Sequence, residues 1–217
     1  MCPTLFLLTS AILGPSAPPP PLVSEDTASF LKPENWEGLP NLWTNDGKTI
    51  VGETKQDPKF NTFYCTKTKY TDFDLSFKVL MRDGVGNSGV QIRSRVLDDE
   101  KSKGKFVAAG PQCDMGQQYW GSLYGEKFGK DGKSMAGHMM QACPNEFVAK
   151  HVKTMEFNDY SIHVKGKHVT IKMNGATSVD GDFDILPADG IIALQIHAGF
   201  PKMRVEFKDF TFVNHGK

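Results

Sequence analysis

Phe73-Asp74-Leu75-Ser76-Phe77-Lys78-Val79-Leu80-Met81 is the stretch that decides the fold class. Phe73, Leu75, Phe77 and Val79 fall on one face, while Asp74, Ser76 and Lys78 fall on the other. A period of two marks a strand with one buried face. The pattern recurs outward in both directions. Upstream, Trp43-Thr44 runs into Asn45-Asp46-Gly47, a hairpin turn in which Gly accepts positive φ, and Thr49 to Glu53 reads as the return strand. Phe63 to Thr66 is another strand. Downstream, the turn Asp83 to Gly89 introduces Val90-Gln91-Ile92-Arg93-Ser94-Arg95-Val96, and Pro111 to Met115 follows. Trp120 to Gly137 is rich in Gly and reads as long loops. Asn145 to Lys153 carries a helix-like stripe with Asn145 as its cap. The last third returns to strands at Tyr160–Val164, His168–Met173, Ile191–His197 and Met203–Phe212. About ten short strands with turns between them and hardly any helix predict two packed antiparallel sheets, an all-β sandwich.

The chain of 217 residues suits one such domain, expected over residues 22–217, and Ser24 to Lys32 reads as a polar lead-in. Lys plus Arg and Asp plus Glu each number 25, and no block of like charge stands out. That composition argues against a nucleic-acid partner or an anionic membrane surface. The N-terminal apolar run is too short to span a bilayer as a helix, and no other uncharged stretch reaches the roughly 20 residues a span needs. The apolar run Leu5–Leu13, then Gly14-Pro15-Ser16-Ala17 and Pro18–Pro21, reads as an export signal with a proline-rich spacer over residues 1–21. Absence of Lys or Arg after Met1 leaves a plain N-terminal tail or a misassigned start codon as alternatives. Cys65, Cys113 and Cys143 match no zinc spacing, and a Cys113–Cys143 bridge or three buried thiols are both open.

Three strands share an unusual pairing. Gln91 and Arg93, Gln112 and Asp114, and Gln195 and His197 are each two apart, so each pair is expected on one sheet face. Fixed donors and acceptors of this kind suit a hydroxyl-rich ligand, and Tyr119, Trp120 and Tyr124 lie nearby to stack on a sugar ring. A water-exposed face with its Arg and Asp paired is the alternative. No G-x-S-x-G elbow, P-loop or H-E-x-x-H motif occurs, which disfavours serine hydrolase, NTPase and zincin chemistry. The remaining His residues have no ligand-like spacing.

Gly86-Asn87-Ser88-Gly89-Val90-Gln91-Ile92-Arg93-Ser94-Arg95 resembles the 3-keto-disaccharide hydrolase family. The resemblance continues through Tyr70–Leu75, Gly121–Gly125, Asn174-Gly175, Ile192–Gly199 and Val205–Phe210, and so runs from about Trp36 to Val213. It implies a concanavalin-A-like jelly roll, usually exported and bacterial, acting on glycosides whose sugar carries a 3-ketone. Cys113 and Ala198 depart from the family pattern. A ketone at C3 acidifies the C2 proton, so a modest base removes it, the anomeric substituent leaves, and water adds. On that implied chemistry Arg93, with His197 or a bound cation, stabilises the oxyanion. Glu53, Asp114 and His197 are the base candidates, while Gln91, Gln112, Gln195, Tyr124 and Trp120 hold the sugar. No cofactor is required by the sequence, and a divalent ion remains open. A non-catalytic carbohydrate-binding sandwich and a purely structural exported domain are the rival classes.

Overall fold

The computed structural model describes residues 24–216. The export signal and spacer expected over residues 1–21 lie outside the described residues. In chain order α1 (Glu25–Leu31) precedes β1 (Trp36–Glu37), β2 (Trp43–Asn45), β3 (Ile50–Glu53), β4 (Thr62–Tyr70) and β5 (Phe73–Met81). Next come β6 (Ser88–Val96), β7 (Ala108–Met115), β8 (Leu123–Glu126) and β9 (His138–Gln141). After α2 (Asn145–His151) follow β10 (Asn158–Lys165), β11 (His168–Met173), β12 (Ala176–Asp182), β13 (Gly190–Ile196) and β14 (Arg204–Asn214). They form two seven-stranded sheets, ordered β1-β4-β13-β6-β7-β8-β9 and β12-β11-β10-β5-β14-β3-β2. This is the all-β sandwich that the alternation predicts and the concanavalin-A-like architecture that the family resemblance implies.

The core lies between the sheets. Phe73, Leu75, Phe77 and Val79 of β5 are buried there, as their period of two requires, together with Ile162, Phe207 and Phe212. Val90 and Ile92 of β6, Cys113 and Met115 of β7, and Leu194 and Ile196 of β13 belong to the same cluster from the opposite sheet. The residues between these apolar positions therefore point to that sheet's outer face. Cys65, Cys113 and Cys143 are all buried free thiols.

Several elements differ from the sequence reading. The polar lead-in is helix α1, capped by Ser24, whose side chain accepts from the Thr27 N–H. Its Thr27 Oγ1 donates to Phe212 O at 3.1 Å and accepts from Phe212 N at 2.8 Å, which seats the helix on β14. Phe30 then stacks on Phe212 with ring centroids 4.3 Å apart. The Gly-rich stretch contains β8, and β12 continues the hairpin past Asn174-Gly175. Helix α2 forms, but Asn145 is its first helical residue rather than its cap and it ends at His151; Pro144 holds the cap position and no side chain caps it.

The largest departure is in β6. Gln91 lies opposite Gln112 and Arg95 opposite Ala109, so four steps along β6 meet three along β7. On its other side Gln91 and Ser94 face Ala193 and Ile191, three steps against two. One extra residue is therefore inserted in β6, a β-bulge, and Arg93 occupies it with φ at 44°. A bulge breaks the rule that residues two apart share a face. Ser94 takes the place beside Gln91, its Oγ donating to Gln91 Oε1.

Arg93 turns instead to the end of the sandwich, where its side chain is 2% exposed. Nε donates to Thr71 O, Nη1 to Gly166 O and to Pro187 O, and Nη2 to Asp72 Oδ1 at 2.7 Å. Thr71 and Asp72 lie where the chain crosses from β4 in one sheet to β5 in the other. Gly166 lies in the β10–β11 turn, and Pro187 on the return from β12 to β13. Arg93 thus staples three connections, and the oxyanion role read for it is corrected: its donors are spent on carbonyls and Asp72, away from the polar face.

Replacing Arg93 by Ala removes the side-chain donor of three carbonyls and leaves Asp72 with the Gly166 N–H at 2.9 Å but no cation. We expect it to lower stability by about 3–5 kcal/mol in a urea titration. Arg93→Lys should lose nearly as much, because an ammonium cannot span the same fork of acceptors.

Candidate functional site

The outer face of the β6/β7/β13 region carries a directional row of polar groups. Ser94 donates to Gln91 Oε1, so Gln91 Nε2 is left to donate to Gln112 Oε1 at 2.8 Å. Gln112 Nε2 in turn donates to Asp114 Oδ1 at 2.6 Å and to Gln195 Oε1 at 3.2 Å. Gln195 Nε2, at the end of the row, is buried without a hydrogen-bond partner among the described residues. Gly89 faces Asp114 in the register, and a Cβ there would approach Gln112 Cγ to 2.7 Å. The missing side chain makes room for the amide that holds the carboxylate.

This row ends at a cavity of about 230 Å³. Gln112 and Asp114 form its floor, Tyr124, Glu126 and Met139 one wall, and Asn87, Tyr119 and His197 the rest. Tyr124 stands opposite Gln112 on β7 and Met139 on β9, so pairing alone brings the wall together. Asn61 braces two sides: its Nδ2 donates to Glu126 Oε1 at 3.2 Å, and its Oδ1 accepts from the Ala198 N–H at 3.0 Å. Tyr119 and Met139 are exposed at the mouth.

Asp114 is 5% exposed. Its backbone is fixed by N–H donation to Ser122 O at 2.9 Å and by accepting from Gly121 N and Tyr160 Oη. Burial penalises the charged form and raises the carboxyl to about 7; Gln112 opposes that rise, and the Glu126 charge adds to it. Burial first, then the charges of Glu126 and Asp114, raises the Tyr124 phenol, which stays protonated and able to donate. His197 Nδ1 lies 2.6 Å from Ala198 O. A carbonyl only accepts, so Nδ1 carries the hydrogen and the neutral ring's Nε2 is the basic nitrogen.

Of the expected site residues, Gln112, Asp114, Tyr124 and His197 converge on this cavity. Gln91 and Gln195 share the face but are 0% exposed, so they stand behind Gln112 and touch no ligand. Glu53 is on the other sheet, exposed and paired with Arg204 at 2.9 Å, which removes it as a base here. Trp120 is buried in the core and lines a different cavity, with Met81 and Val152; its neighbour Tyr119 takes the place read for it. Asn87, Glu126 and Met139 were not expected. Glu126 is two residues past Tyr124, a spacing that would have placed it had Leu123–Glu126 been read as a strand. Among the described residues no group of three or more His, Cys, Asp or Glu is gathered to hold a metal ion, and no helix is long and apolar enough to cross a membrane.

A model of the family described as the 3-keto-alpha-glucoside-1,2-lyase-like domain matches residues 29–213. Among solved structures, two Parabacteroides distasonis proteins provisionally named glycosyl hydrolases share the fold. One is 17% identical with a TM-score of 0.58, covering 89% of this chain and 98% of its own. The other is 19% identical with a TM-score of 0.55, covering 83% and 94%. The carbohydrate-binding module CBM66 from Bacillus subtilis is 13% identical with a TM-score of 0.53, covering 82% and 94%. No curated protein sequence matches the chain. At these identities the likeness is one of fold.

Asp114 generates a pH-dependent stability. Its folded pKa of about 7 stands above the ordinary 3.8, so its contribution is fully present below about pH 4 and is lost as pH rises through 7. Asp114→Asn removes that ionisation. The variant should match the parent near pH 4 and exceed it at pH 8, by up to about 4 kcal/mol, in urea titrations at the two pH values.

Proposed function

Because the chain belongs to the 3-keto-alpha-glucoside-1,2-lyase-like domain family, we propose that it is an exported enzyme cleaving the glycosidic C–O bond of 3-keto-glycosides. The observation that carries this reading is Asp114, a buried carboxyl raised to about 7 on the floor of a cavity also lined by His197 and two tyrosines.

The Asp114 carboxylate takes the C2 proton, which the neighbouring ketone has acidified. The C2–H electron pair moves towards the C3 oxygen, where the Tyr124 phenol donates a hydrogen bond to the enolate. This is the role that the sequence reading gave to Arg93. Collapse of the enolate breaks the C1–O bond, and the leaving oxygen takes a proton from a water molecule that donates its other hydrogen in a hydrogen bond to His197 Nε2. The hydroxide so formed adds to C1 of the enone, and Asp114 returns its proton to C2. The balance is glycoside plus water to 3-keto-sugar plus alcohol. Asn87, Gln112 and Glu126 bind hydroxyls, while Tyr119 and Met139 cover a pyranose face.

Incubation with 3-keto-trehalose should release sugar, with kcat/KM rising through about pH 7 as Asp114 ionises. Asp114→Asn should lower kcat by about 10²–10⁴-fold without loss of fold, and an EDTA arm reads any divalent-ion dependence. Saturable binding with no product at any pH would leave a carbohydrate-binding sandwich and overturn the cleavage reading.

A further inference from the structure

A second cavity, of about 340 Å³, adjoins the sugar pocket. The two share Glu126 as a common wall. Asn61 lines the second cavity and, through Ala198, braces the segment that carries His197. Its rim carries Lys59, Lys101, Lys105 and Lys127. Lys59 is paired with Asp57 at 3.2 Å, but Lys101, Lys105 and Lys127 form no ion pair among the described residues. The Lys105 ammonium stands 5.4 Å from the Phe60 ring centroid, which holds the charge at the rim. Asp98, Asp99 and Glu100 belong to the same connection, yet none lines the cavity, and Asp99 is taken up by the Lys101 N–H at 3.0 Å.

Three ammonium groups without an ion pair stand against one carboxylate, Glu126, around a cavity that shares a wall with the sugar pocket; the excess of positive charge favours an anion there, and a neutral sugar leaves it unused. We infer that this cavity receives an anionic group, a carboxylate or phosphate, carried on the leaving half of the glycoside. Naming it the leaving half rests on the proposed cleavage; the preference for an anion does not.

The test compares 3-keto-maltobionate with 3-keto-maltitol, which share an open-chain second half and differ in one carboxylate. Binding is measured by calorimetry on the Asp114→Asn chain, so that no turnover intervenes. We expect the anion to bind about tenfold tighter at low salt, the ratio narrowing in about 0.5 M KCl as exposed charges are screened. The Lys105→Gln, Lys127→Gln double variant should bring the ratio towards one. Equal binding at low salt, or a preference that survives the double substitution, overturns the inference. Sugar release by the unsubstituted chain is scored separately. A tenfold preference without release removes the cleavage reading and leaves the anion site standing, and release without preference does the reverse.

Discussion

The guanidinium of Arg93 holds together the end of the sandwich at which the chain passes between its sheets. Four of its five N–H donors are engaged, three on carbonyls of separate connections and one on Asp72. Such a fork needs a side chain that leaves β6 towards the sheet interface rather than the outer face. A positive φ at a non-Gly residue, costing on the order of 1 kcal/mol, provides that exit. The bulge and the staple are therefore one device. Its second consequence is that Ser94, not Arg93, reaches the outer face, where its hydroxyl starts the amide row.

That row has a direction because a hydroxyl can donate to Gln91 Oε1 and an amide oxygen cannot. Each amide then presents its NH₂ to the next acceptor, and the last acceptor is Asp114. Reversing the order would set an amide oxygen against a carboxylate. Gln195 Nε2, left over beyond this chain, shows that orientation towards Asp114 takes precedence over satisfying every group. One donated bond does not offset the burial of the carboxylate, so its pKa stays high.

The fold was legible wherever one strand face met the core, as in β5, where every second residue is apolar. Of the polar pairs, Gln112/Asp114 kept its shared face because nothing interrupts β7 between them. Gln91/Arg93 lost it to a bulge that no turn residue announces. Gln195/His197 split in depth because β13 ends at Ile196, so Gln195 is sealed in the sheet while His197 emerges from it. Tyr119 and Trp120 are adjacent in a turn, and only packing against the core decides which is buried. Glu53 failed because its partner, Arg204, is 151 residues away and lies in the second sheet. Short elements without a full period, such as β8 and α1, leave too few buried positions to register as a pattern.

A sandwich of this shape serves both for holding sugars and for breaking them, so the fold leaves that choice open. Asp57 and Asp114 show where the two uses part. Asp57 accepts backbone N–H groups from Gly199 and Lys59 and is lowered to about 2, a carboxylate fixed in its charged form that shapes a loop. Among the described residues Asp114 has one amide donor, no ion-pair partner and almost no exposure, and it is raised to about 7. A site that only binds hydroxyls gains nothing from an acceptor whose charge is unsettled near neutrality, and the burial costs stability above that pH. Proton exchange does gain from it, because a base is most useful when its pKa lies near the working pH. The burial of Asp114 beside an open, sugar-sized cavity is the feature that favours chemistry over recognition in this chain.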